Sequence, residues 1–401
     1  MTNEYLECLS YDTEVINLNN KDLFFLPNLN KFTKITKIYC NDNQLTELKN
    51  LPRLETIIYS NIYNILYRNI FGNFFNRVNT LHTLHCSYNK ITELNHLPNT
   101  LKVLHCNHNQ LTELKNLPKT LHTLHCNNNQ LTELTHLPDT LHTLYCDNNQ
   151  LTEFTHLPYI LQYLFCYNNQ LIHLSYLHDT RLKELFCYNN KLTELNDLPN
   201  TLKMLSCHSN QLTQLNHLPN TLEELYCNTN QLTQLNHLPN TLTTLNCSEN
   251  QMTQLNDLPN TLKRLYCHSN KLTQLNLLPT NKLIILCCKD NQLTELNNLP
   301  KTLYELNCDN NKLTHLNNLP DTLRDLSCDN NQLIQINNLP NILQELYCND
   351  NKLLNLVFSY IAKKRCSKYK EELIAGALHP TRIFAHFDYN TDDFHEFMDN
   401  R

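Results

Sequence analysis

Residues Leu101–Thr120 read LKVLHCNHNQLTELKNLPKT, and the same twenty positions recur with small changes along most of the chain. Leucine stands at unit positions 1, 4, 11, 14 and 17 (Leu101, Leu104, Leu111, Leu114, Leu117), with Cys106 at position 6, Asn109 at position 9 and Pro118 at position 18. Neither the helical nor the strand period fits the whole unit. The spacing predicts a short strand that presents Leu104 and Cys106 to one side, followed by an inward turn at the asparagine. Position 1 recurs at Leu81, Leu101, Leu121, Leu141, Leu161, Leu182, Leu202, Leu222, Leu242, Leu262, Leu283, Leu303, Leu323 and Leu343, too many registered copies to arise by chance.

The pattern L-x-x-L-x-[L/C]-x-x-N-x-L resembles the leucine-rich repeat. Strands twenty residues apart lie side by side only in parallel, about 4.8 Å apart, and the return path crosses with right-handed sense. The fold expected is therefore a leucine-rich-repeat solenoid: a curved right-handed coil with a parallel β-sheet on its concave face. Pro118 and its equivalents Pro98, Pro138, Pro158, Pro199, Pro219, Pro239 and Pro259 withhold an amide and favour extended or polyproline geometry. The convex face is thus expected to be mostly non-helical, extended, polyproline or 3-10.

Three segments follow. Residues 1–34 hold weak echoes of the unit (Ile16, Leu18, Leu23, Leu26, Pro27) and read as an N-terminal cap, because a terminal repeat must cover an open apolar edge. Residues 35–356 form the array, with an irregular insertion at 59–79 whose aromatic and isoleucine content argues against a loop; it reads as a distorted repeat or a short packed helix, and loop-length priors favour the packed insertion. One-residue insertions near Arg181 and at Thr280–Lys282 fall just before a strand. Residues 357–401 read as a helical C-terminal cap followed by an acidic, aromatic tail. The basic run Lys363, Lys364, Arg365, Lys368 and Lys370 is the polar face of that helix or, alternatively, a nuclear-import or phosphate-binding patch.

Composition narrows the function. A net charge of −6 gives no general basic footprint for nucleic acid, and no stretch has the length and apolarity of a signal sequence or a membrane span. A cytoplasmic protein, monomeric, with no nucleic-acid or membrane partner is expected. Eighteen cysteines in such a chain read as reduced thiols. Fourteen of them, from Cys86 to Cys348, stack at position 6 in place of the usual leucine, as small buried hydrophobes. Cys287 alone falls on the open face and is expected to be the more reactive thiol. The asparagine column from Asn89 to Asn351 offers donor and acceptor to backbone groups at the inward turn. No cofactor or metal is expected: His85, His105 and His125 lie on neighbouring strands, where rings about 5 Å apart share an ion only by leaning together.

Strand positions 3, 5, 7 and 8 point away from the core and vary between units, so binding is sought there. Tyr145, Tyr163, Phe165, Tyr167, Phe186 and Tyr188 make an aromatic cluster that this reading takes as exposed and as the partner-binding centre. The alternative is that these rings pack on one another across adjacent strands. Towards the C-terminal end the face turns acidic (Asp290, Glu305, Asp309, Asp325, Asp329, Glu345, Asp350), which would steer a basic partner.

The Leu-Pro element at positions 17 and 18 makes the unit similar to the short repeats of bacterial effectors. Cysteine in the core, asparagine-rich turns and two glycines make the chain similar also to leucine-rich-repeat proteins of giant, mimivirus-type viruses. The resemblance implies a non-enzymatic protein–protein interaction module, engaging a host protein if the viral likeness holds. Alternatives are an adaptor that recruits host ubiquitination machinery and a structural virion component. The ligase domain that some effectors carry does not fit the roughly 45 residues after the array, and no nucleophile with a base stands at meaningful spacing.

Overall fold

A computed structural model describes residues 2–32, 34–49, 51, 81–275 and 277–353. The insertion at 59–79, the helical cap and the acidic tail of 357–401 lie outside the described residues. Sixteen short parallel strands, running from Val15–Asn17 to Glu345–Tyr347, pair in chain order into one sheet. Most are three residues long with a leucine at the centre, as in Val103–His105, where only Leu104 is fully buried. Lys37–Tyr39 pairs directly with Thr83–His85, so the sheet passes from the unit at Ile35 to the unit at Leu81 with no strand between. Opposite the sheet, extended chain returns, and a small two-stranded pairing joins His315–Leu316 to Gln335–Ile336.

The repeat defines a continuous wall. Leucines of positions 1, 4 and 11 and the cysteines of position 6 are almost all inaccessible to solvent and form one apolar cluster along the array. No unit could bury its own face alone; each is closed by its neighbours. The one-residue insertions are absorbed before the strand, since Tyr163 still pairs with Glu184 and Arg264 with Ile285.

The asparagine column closes the polar side of the interior. Asn210 Nδ2 donates to the carbonyls of Cys187, Cys207 and His208, each at 3.1 Å, and Oδ1 accepts the amide of Leu192 at 3.0 Å. Every cysteine carbonyl in the middle of the array is shared by two asparagines: that of Cys207 accepts from Asn210 and from Asn230. A second polar column, at position 20, does similar work at the other end of the strand. Thr120 Oγ1 donates to Leu101 O at 2.8 Å and to Asn99 O at 2.7 Å, and most of the threonines from Thr100 to Thr322 repeat the bond to the leucine that opens their own unit.

In most units the turns use left-handed backbone twice, at positions 8 and 16. Other chains place glycine there, but here the positions hold asparagine, histidine, aspartate and even Thr229 at φ 53° and Tyr176 at φ 68°. At the N-terminal end, a helix, Thr2–Glu7, precedes the first strand. Lys31 Nζ donates to Leu6 O at 2.7 Å, a cation satisfying the helix's last carbonyls, and Leu6 is buried against the wall.

Candidate interaction surface

Alternation along each strand sends the central leucine and the following cysteine inward and positions 3 and 5 onto the open face of the sheet. At position 5, seven rings follow one another without interruption, Tyr39, His85, His105, His125, Tyr145, Phe165 and Phe186; Tyr39 meets His85 edge-on at 79°, His125 and Tyr145 are tilted by 45°, and the other four contacts are stacked. Successive centroids lie 4.7, 4.0, 3.9, 4.3, 4.1 and 4.7 Å apart. A second stack, Tyr167, Tyr188 and His208, runs beside it at 4.4 and 4.3 Å. The cause is the sheet itself: in-register parallel strands about 4.8 Å apart set flat side chains at near van der Waals separation.

This geometry corrects the expectation of an exposed aromatic cluster. Phe165, Phe186 and Tyr188 are only 8%, 2% and 2% exposed: Phe165 and Tyr188 each lie between two rings, and Phe186 lies between the Phe165 ring and the strand that carries Ser206. Tyr145, Tyr163 and Tyr167 are half-buried. The rings nonetheless stand outside the aliphatic wall, forming a separate apolar layer on its open side. Two buried polar groups border that layer. Asp147 is 1% exposed; its Oδ2 accepts from Asn148 at 2.7 Å, and burial raises its carboxyl to about 6. Ser206, paired in register with Phe186, is equally covered.

The histidine column is held neutral. Burial, followed by the neighbouring rings, lowers His105 to about 3, and burial lowers His125 to about 4. His85 is lowered by burial and by Lys37. Imidazole lone pairs lie in the ring plane, so rings stacked at 7° and 20° cannot aim at one ion.

Burial raises the thiols of the position-6 column, some to about 12. Several donate weakly to the next strand's carbonyl, as Cys146 Sγ does to Phe165 O at 3.4 Å. Cys287 does not match the expectation of a reactive thiol: it is half-buried, and burial raises it to about 11, so almost none is thiolate near neutrality. Cys8 is the exposed cysteine among those described.

Towards the C-terminal end, Glu305, Asp325 and Glu345 stand opposite one another in register. Burial raises Glu305 and Asp325, and the next carboxylate in the column raises each further. Asp309 is fixed by Ser327 Oγ at 2.7 Å and the amide of Asp329 at 2.7 Å. The open face thus passes from neutral imidazoles through stacked aromatics to crowded carboxylates.

No protein-family model matches the sequence, and no curated protein does. Solved structures do. YopM from Yersinia enterocolitica is 31% identical, with a TM-score of 0.73 over 84% of this chain and 73% of that one. YopM from Yersinia pestis, described as a leucine-rich effector protein, is 27% identical, with a TM-score of 0.60 over 84% and 88%. A domain of InlJ from Listeria monocytogenes that includes a cysteine ladder shares the fold at 24% identity, with a TM-score of 0.53 over 86% and 64%. The chain belongs to the leucine-rich-repeat proteins. These neighbours are bacterial and lend the giant-virus likeness no support. No helix among the described residues is long and apolar enough to cross a membrane.

Proposed function

We propose that the protein is a non-enzymatic interaction module that engages a protein partner on the open face of its sheet. The observation that carries this reading is the second apolar layer: a continuous stack of rings lying outside the wall that holds the solenoid together. A wall of leucine and cysteine is already closed without it, and aromatic side chains are the residue type that anchors interfaces. The centre comprises Tyr145, Tyr163, Phe165, Tyr167, Phe186 and Tyr188. Phe165, Phe186 and Tyr188 act as a rigid floor, and the half-buried tyrosines present their ring edges to the partner. Pre-stacking lowers the ordering cost of binding.

The likeness to a leucine-rich effector supports an interaction role. A host-cell partner, encountered in the cytoplasm, is part of the same reading, and its support is compositional. The crowded carboxylates beyond the aromatic floor favour a partner that is basic at that end. Affinity capture with wild type beside the Phe165→Ala/Phe186→Ala variant tests the centre, with folding of both verified by circular dichroism. Partners lost by the variant support the assignment; partners retained equally remove it.

A further inference from the structure

A different surface carries a feature the open face does not explain. Position-2 side chains form a column along the edge where the chain approaches the strands. Three contacts establish it: His122 stacks on His142 at 5.4 Å, Lys203 pairs with Glu223 at 2.9 Å, and the Arg324 guanidinium lies 5.2 Å over the Tyr304 ring. From His82 to Thr243 this column is polar throughout, but it then reads Lys263, Ile284, Tyr304, Arg324. These four are joined in succession by backbone bonds of 2.8 Å, from Ile284 N to Lys263 O, Tyr304 N to Ile284 O and Arg324 N to Tyr304 O.

Ile284 and Tyr304 are 42% and 38% exposed, and they floor a groove of about 510 Å³ that Lys263, Lys282 and Lys301 surround. Lys282 arrives through the one-residue insertion at Thr280–Lys282, standing where other units carry the clamping threonine. None of the three lysines is ion-paired among the described residues. Two adjacent apolar side chains framed by cations, on a chain of net charge −6, form a local pattern with a definite complement.

We propose that this groove docks an extended acidic segment of a partner protein, with the pattern acidic-x-apolar-x-acidic. Lys263 and Arg324 are three strand spacings apart, roughly 14 Å. An extended chain covers that distance in about four residues, and its period of two puts the first, third and fifth side chains on one side. The outer carboxylates then meet Lys263 and Arg324, and the central apolar side chain sits between Ile284 and Tyr304. Lys282 and Lys301 flank the segment and steer its approach.

The test is a methyl NMR titration that follows Ile284 in the full chain, using the capped peptide Glu-Thr-Phe-Thr-Glu. The Ile284 methyls shift, and the affinity falls at least about tenfold in Lys263→Glu/Arg324→Glu and falls also as salt is raised. Lys282→Glu/Lys301→Glu, which leaves the Tyr304 contact in place, weakens binding in the same direction. Lys102→Glu/Lys183→Glu, the same charge change elsewhere in the column, leaves it unchanged. Thermal unfolding verifies that each variant is folded. An unmoved Ile284, or an equal response to Lys-Thr-Phe-Thr-Lys, to Glu-Thr-Ser-Thr-Glu, to inorganic phosphate alone or to anionic lipid vesicles, overturns the proposal.

Discussion

Replacing Asn210 with leucine tests the internal polar column that holds successive units in register. The side chain it removes makes four bonds, but their loss is unequal. The carbonyls of Cys187 and Cys207 each keep a second asparagine, Asn190 and Asn230 respectively. The amide of Leu192 has Asn210 Oδ1 as its acceptor and is left unpaired inside the wall. An orphaned buried amide costs about 1–3 kcal/mol, and half-satisfied carbonyls add less. The expected loss is therefore about 2–3 kcal/mol in urea unfolding followed by far-ultraviolet circular dichroism. Asn210→Asp separates the two roles: it keeps the acceptor for Leu192 but offers no donor and brings a charge near three carbonyls, so it destabilises at neutral pH at least as much as leucine. A leucine variant within about 0.5 kcal/mol of wild type would refute the assignment of this column, because a loss that small is what an exposed substitution gives.

Other expectations follow from the buried titratable groups. Asp147→Asn restores the residue that Asn107 and Asn127 hold in neighbouring units and removes a buried carboxylate raised to about 6, so it stabilises the protein at neutral pH by about 1–2 kcal/mol in the same unfolding assay. The histidine column acts in the opposite sense with pH. His105 and His125 are lowered from 6.5, so their contribution is complete above 6.5 and is lost as pH falls towards about 3 and about 4 respectively. Between about pH 7 and about pH 5, wild type should lose more stability than His105→Phe, whose ring keeps the stack without a proton to gain; equal losses would contradict the neutral stack. In a Cys366→Ser background, a thiol-specific reagent should label Cys8 quickly and Cys287 slowly, and reach the position-6 column only on unfolding. Fast labelling of Cys146 or Cys207 in the folded protein would show that the wall is open.

The wall was legible in the sequence because a strict period turns each position into a column. Leu104, Cys106 and Asn109 announce their partners by recurring. The turns were less legible: position 8 holds Tyr88, Asn128, Thr229 and Glu249 in different units and position 16 holds His96, Asn116 and Tyr176, so residue type gives no sign of the shared left-handed backbone. The threonine of position 20 recurs in most units, though Ile160, Lys282 and Ile342 interrupt it, and its bond to the carbonyl of the leucine that opens the unit depends on how the units stack. Burial of the aromatic cluster was misread for a related reason. Alternation correctly put Phe165 and Phe186 on the outer side, but outward does not mean exposed when rings on adjacent strands lie 4.7 Å apart and cover one another. Cys287 fails in the same way, since its position on the strand gives its direction and only its neighbours give its accessibility. The short N-terminal helix, Thr2–Glu7, lies ahead of the first echo of the unit, where no periodicity could report it.

Site-specific photocrosslinking tests the central claim most directly. A photoreactive residue would be placed at Tyr163, Arg264 or Glu345 on the open face of the sheet, and at Glu133 or Gln214 on the returning chain. The account predicts that one partner is captured from the sheet positions and not from the others. Capture of that partner from Glu133 or Gln214, with none from Tyr163, Arg264 or Glu345, would contradict it.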